Sequence, residues 1–143
     1  MDCVRDVMNT RVVGVPPEAT LAEAVRILTE LHIGGAPVVA ADGSVMGIIS
    51  ELALIDVVFD PSARDALVSD HMTPDVHVVH PDDPLSRPAQ LFALYSFRRL
   101  PVVEEGTLVG IITRRDLMNY ALRTGALLTD PLIELIPSLA PMT

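Results

Sequence analysis

The chain has 143 residues, 50% of them apolar and 3% aromatic, and its 19 acidic against 10 basic residues give a net charge of −9. That length suits one compact domain or two small halves sharing a core, and it excludes an eight-stranded α/β barrel, which takes about 250 residues. Lysine is absent and every strong cation is arginine, so the chain lacks the broad basic footprint that a nucleic-acid backbone or an anionic membrane requires.

Cys3 has no second cysteine to pair with, and nothing points to an oxidising compartment. The opening residues follow neither a secretory nor a transit pattern. No apolar run approaches the roughly 18 residues of a membrane helix. A soluble, cytoplasmic protein is expected.

In chain order, Val12 to Val15 predicts a short strand stopped by Pro16-Pro17. Thr20-Leu21-Ala22-Glu23 has the form of a capping box, and Leu21, Val25, Leu28 and Leu31 follow at helical spacing, predicting a helix from Leu21 to His32. His32 would set a favourable charge against the negative end of that helix dipole. Ala36 to Ala40 and Val45 to Ile49 are β-branched runs around Asp42-Gly43, a dipeptide suited to a tight turn between antiparallel strands. Ser50 then caps a second helix containing Leu52, Leu54, Ile55 and Val58. The unit reads β-α-β-β-α.

This unit is written twice. Val4-Arg5-Asp6-Val7-Met8 returns as Val68-Ser69-Asp70-His71-Met72, and in that register Val12 falls on Val76, Val15 on Val79 and Pro17 on Pro81. Pro37-Val38-Val39 lands on Pro101-Val102-Val103 and, after one deletion in the turn, Gly47-Ile48-Ile49-Ser50 lands on Gly110-Ile111-Ile112-Thr113. Matches spread this widely mark a tandem duplication. The expected division is a first repeat over 1–58, a linker over 59–67, a second repeat over 68–124 and a tail over 125–143. Pro84 and Pro88 move the second copy's helix start to Ser86, because proline is tolerated only in a first turn. Phe92, Tyr95 and Phe97 are expected in the core. Thr129-Asp130-Pro131 opens a short C-terminal helix whose apolar residues, among them Leu132 and Ile136, should pack on the chain's own repeats or on a partner subunit.

A doubled β-α-β-β-α unit with Val-x-Asp-x-Met at its head and Gly-Ile-Ile-Ser/Thr near its end resembles the CBS domain family, whose repeats come as tandem pairs. Arg99-Leu100-Pro101-Val102-Val103 and Gly110-Ile111-Ile112-Thr113-Arg114-Arg115-Asp116 carry the likeness most closely. The resemblance implies an α/β fold in which two repeats pack as a pseudo-twofold pair. It also implies a non-catalytic regulatory module that binds an adenosine-containing nucleotide (AMP, ADP, ATP or a related adenosyl compound) between the repeats and signals to a partner protein. Such pairs commonly form homodimers shaped as a four-repeat disc.

Carried onto this sequence, the resemblance gives the Thr113 hydroxyl to phosphate or ribose and the Asp116 carboxylate to the ribose hydroxyls. Arg98 and Arg99 match positions that face the phosphates, a role that suits a guanidinium fork, and Arg115 is a further candidate. The adenine would lie against Arg11, Val12 and Val13, with Gly34 nearby and Ile111 on the floor. In the mirror-related cleft Ser50, Ala53 and Gly34-Gly35 stand where Thr113, Asp116 and Arg98-Arg99 do. That cleft is expected to be empty or weak, although two glycines would let a ligand approach the backbone.

Each motif has a plainer reading. Thr113 to Asp116 is also a well-formed helix start, and a surface arginine needs no explanation. His77 and His80, three apart on a predicted strand, point to opposite faces and cannot jointly hold an ion, so neither a metal nor a cofactor is expected. The sequence has no nucleophile elbow, Walker A loop or dinucleotide fingerprint. A structural dimerisation module with a vestigial cleft is the alternative to a sensor.

Overall fold

The computed structural model describes residues 2–74 and 76–125; the expected tail helix lies outside them. The elements are α1 (Leu21–Leu31), β1 (Gly35–Val39), β2 (Val45–Ser50), α2 (Glu51–Ile55), β3 (Thr73–Pro74), α3 (Ser86–Leu94), β4 (Arg99–Glu104), β5 (Thr107–Thr113) and α4 (Arg114–Thr124). Thr20 Oγ1 accepts from the Glu23 N–H at 3.1 Å and starts α1, which buries Leu21, Ala24 and Leu28. His32 ends that helix in a left-handed conformation. β1 and β2 pair antiparallel around Gly43, whose φ is 91°. β4 and β5 pair around Glu105-Gly106, both at positive φ, as a two-residue hairpin turn requires.

The strand expected at Val12 to Val15 shrinks to one parallel bridge, Val15 with Val38, and its mirror is Val79 with Val102. Val15 donates to the Pro37 carbonyl and accepts from the Val39 N–H, both at 2.9 Å. In a parallel ladder the next donors in register would be Pro17 on one chain and Pro37 on the other, and neither has an N–H. Pro81 and Pro101 stop the second copy in the same way.

Two other expectations are corrected. α3 stops at Leu94, which leaves Tyr95 and Phe97 beyond the helix; Phe92 and Phe97 pack against the second core as expected, but Tyr95 is exposed and stacks on Phe97 with centroids 5.0 Å apart. The His77 ring joins them, 4.8 Å from Tyr95 and 5.3 Å from Phe97. In α2 only Leu54 is buried, while Leu52 and Ile55 are 78% and 66% exposed, because residues two apart on a helix point to nearly opposite sides and residues three apart share one face.

Two cores result, and each is completed by the head of the other copy. Val4 is fully buried with Val79, Leu91, Leu100, Val102 and Ile112, in the core of the second repeat. Val68 is fully buried among Val15, Leu21, Leu28, Val38 and Ile49, in the core of the first. Backbone hydrogen bonds repeat the exchange: Val4 N to Asp83 O (2.9 Å) and Arg5 N to Pro81 O (2.8 Å) mirror Val68 N to Ala19 O (2.8 Å) and Ser69 N to Pro17 O (3.0 Å). Further along, Asn9 bridges to Ile111, just as β3 pairs with β2.

Candidate functional site

The exchanged heads build a cleft between the repeats. Asn9 donates to the Ile111 carbonyl at 2.8 Å and accepts from its N–H at 3.0 Å, which pins the chain beside β5. The Asn9 side-chain oxygen then accepts from the Arg11 N–H at 2.9 Å, turning Arg11, Val12 and Val13 along one wall. The residues from Gly34 to Pro37, at the start of β1, form the facing wall. Ile111 and Thr113 come from β5, and Arg99 lies opposite Thr113 in the β4–β5 register. The cleft measures about 370 Å³. Arg11, Val12, Val13, Gly34, Arg99, Ile111 and Thr113 of the expected set all line it.

Three expected residues stand elsewhere. Asp116 forms a reciprocal cap with Thr113: its Oδ2 accepts from the Thr113 N–H at 2.9 Å, while Thr113 Oγ1 accepts from the Asp116 N–H at 3.1 Å. That folds the carboxylate back on its own helix start, where it lines a separate hollow with Val7, Asn119 and Arg123. Arg115 is exposed on α4 and lines neither cleft. Arg98, at the bend just before β4, lines the mirror cleft instead.

The mirror cleft, 480 Å³ by the same measure, is lined by Ser50, Glu51, Ile48, Phe97, Arg98 and Arg99 among others. It therefore has the arginines that the alignment withheld from it. Ser50 Oγ caps α2 through the Ala53 N–H at 3.3 Å, the single cap that remains when the carboxylate is replaced by alanine. Nor is the Gly34-Gly35 backbone open to a ligand: the Arg99 guanidinium occupies that space, with Nη2 3.2 Å from where a Gly34 Cβ would stand.

Burial pushes the Arg99 pKa down, the adjacent Arg98 adds to the shift, and Glu51 opposes both. The group stays charged regardless, since arginine does not lose its proton in proteins. Arg11 and Arg99 are the charged residues of the first cleft, which no carboxylate lines. Apart from Asn9 and Thr113 its remaining walls are aliphatic, so it can hold an anionic group at one side and an apolar ring at the other. Asn9, Leu31, Ile33 and Pro37 line it too and were not anticipated. The repeat held a signal for Asn9, which falls on Thr73 of β3 in the same register. Among the described residues no group of three His, Cys, Asp or Glu side chains could hold a metal ion, and no helix is long and apolar enough to cross a membrane.

A family profile described as CBS domain matches residues 4–60 and again 68–123. The chain belongs to the CBS domain family. Among curated CBS relatives, the CBS domain-containing protein YhcV of Bacillus subtilis is 33% identical over 82% of this chain and 84% of its own length. The uncharacterized protein MJ1225 of Methanocaldococcus jannaschii is 35% identical over 81% of this chain, which spans only 41% of that relative. An A-adding tRNA nucleotidyltransferase of Aquifex aeolicus is 32% identical over 81% of this chain, which spans 14% of it. Among solved structures, CBSX2 of Arabidopsis thaliana in complex with AMP superposes with a TM-score of 0.80 at 30% identity, covering 87% of this chain and 99% of that one. The α/β architecture of tandem CBS repeats is thus shared with known CBS pairs.

Proposed function

We propose that this CBS pair is a non-catalytic sensor that binds an adenosine-containing nucleotide in the cleft between its repeats and passes the change to a partner. The observation that carries this reading is the convergence of Arg11, Arg99 and Thr113 on a mostly aliphatic cleft that both repeats build. Arg99 and Arg11 would hold phosphate, Thr113 would donate its hydroxyl, and Val12, Val13 and Ile111 would flank the adenine, with Gly34 beside it. Asp116 caps Thr113 through Oδ2 and lines the neighbouring hollow; its other oxygen would reach the ribose by turning toward the cleft. Arg98 and Arg115 would add cations at the margins.

AMP in the CBSX2 complex supports the ligand class. So do the 5-methylthioadenosine and S-adenosyl-L-methionine bound by the CBS pair of protein MJ0100, which is 25% identical with a TM-score of 0.72. Calorimetric titration with AMP, ADP, ATP and S-adenosylmethionine tests the proposal. Saturable heat with one of them is expected, and no heat from any of them with folded protein overturns it.

The exposed Leu52, Ile55 and Phe59, the last at 94%, favour a homodimer, in which four repeats would share one disc. They also favour the second reading, a structural dimerisation module whose cleft is vestigial. A ligand that moves the melting temperature separates the two. A cytoplasmic setting suits the sensor.

A further inference from the structure

Arg99 stands in the wall of both clefts, the one holding Thr113 and the one holding Ser50. Each cleft has one further arginine of its own, Arg11 in the first and Arg98 in the second. At rest the Arg99 guanidinium lies in the notch left by Gly34 and Gly35, and a Cβ at Gly35 would fall on its Nη1. Glu51 Oε1 is 3.3 Å from the same point at Gly34 that Nη2 approaches. The cation thus sits between the clefts beside a carboxylate, and the described ion pairs, both of them formed by Arg5, do not include it.

We infer that Arg99 is a shared phosphate anchor, so that a phosphate-bearing ligand in one cleft weakens binding in the other. A guanidinium has five N–H donors, but its side chain carries them toward one cleft at a time. A phosphate that draws the fork toward Thr113 takes it from Ser50, and the reverse holds equally, because coupling between two binding sites is reciprocal. Gly35 acts as a positioning residue, since any side chain there evicts the guanidinium from its notch. The inference rests on the nucleotide reading above.

Methyl resonances of Ile111 and Ile48 report the clefts separately, since each lines only one of them. In a titration with AMP the two methyls should respond at concentrations about tenfold apart or more. Arg11→Ala alters an exposed residue absent from the second cleft, yet it should strengthen the Ile48 response about threefold or more by relieving competition. Arg99→Gln should weaken both responses by about tenfold. Gly35→Ala removes no donor and does not line the second cleft, but it should also weaken the Ile48 response. An Ile48 midpoint unmoved or absent in Arg11→Ala overturns the shared anchor and leaves the nucleotide reading standing. No shift of either methyl with AMP, ADP, ATP or S-adenosylmethionine overturns both. Apo melting curves establish that each variant is folded.

Discussion

Met8 lays its sulfur over the bare α-carbon of Gly110, 2.8 Å from where a β-carbon would stand, and Met72 does the same over Gly47 at 2.8 Å. The two motifs that mark each repeat therefore meet across the pair, the head of one copy closing on the hairpin of the other. The obstacles differ. At Gly47 the Thr73 carbonyl oxygen is 2.6 Å from the same point, whereas at Gly110 the Asn9 carbonyl is 3.1 Å away. A thioether can swing aside and a backbone in a β ladder cannot. Gly47→Ala should cost about 2–3 kcal/mol and Gly110→Ala about 1 kcal/mol. Urea denaturation measures both, and equal costs would contradict this packing.

Val4→Ala should act at a distance in sequence. Emptying a fully buried valine site costs about 2 kcal/mol, and the space opens among Leu91, Leu100 and Val102. Amide hydrogen exchange should therefore rise in β4 and β5 and stay unchanged in β1 and β2, with Val68→Ala giving the opposite pattern. Faster exchange confined to the mutated residue's own repeat would refute the exchange of heads.

Removing the caps separates a structural from a ligand role. Ser50→Ala and Asp116→Ala should each lower stability by about 1 kcal/mol, a drop of about 2–8 °C in the apo melting temperature. AMP should still raise the melting temperature of Ser50→Ala and should no longer raise that of Asp116→Ala. If Asp116→Ala keeps the full AMP shift, capping Thr113 is the carboxylate's whole role.

Acid should destabilise the fold through three carboxylates. Asp6 is held below the usual range chiefly by the Cys3 N–H, Asp42 chiefly by the Ser44 hydroxyl and Asp60 chiefly by the Ser62 hydroxyl. A depressed carboxylate contributes stability that is complete above the unfolded value, about 3.9, and is lost as pH falls through the lower folded value. The melting temperature should drop below about pH 4. Asp42→Asn keeps an acceptor for Ser44 without the titration, so its acid limb should be shallower. Coincident acid limbs for the two proteins would remove Asp42 from this account.

Leu52→Glu combined with Ile55→Glu places charge on the exposed face of α2. Sedimentation should show a dimer for the parent chain and a monomer for the double variant. An unchanged sedimentation coefficient would exclude that face from the interface.

The repeat, the long helix α1 and the two hairpins were legible because each has a local cause. Thr20 caps, Leu21 and Leu28 recur at helical spacing, and Gly43 and Gly106 supply positive φ. The strand at Val12 to Val15 was overread because its partner's prolines are remote in sequence, so Pro37's missing donor is invisible from Val15. For the same reason the alignment sent Arg98 and Arg99 together to one cleft. It pairs positions but carries no side-chain direction, so it could not show that Arg98 lines only the mirror cleft while Arg99 reaches both. The exchange of heads left no local trace either, since Val4 and Val68 are the same residue in equivalent places.

That exchange bears on how such a chain can change over time. Either copy cut away alone would lose the valine that fills its centre and would carry a head with nowhere to seat. The duplication is therefore hard to reverse: a single repeat could persist only by borrowing a head from another molecule. Two halves that began as copies have become complementary parts, free to diverge in their clefts but not to separate.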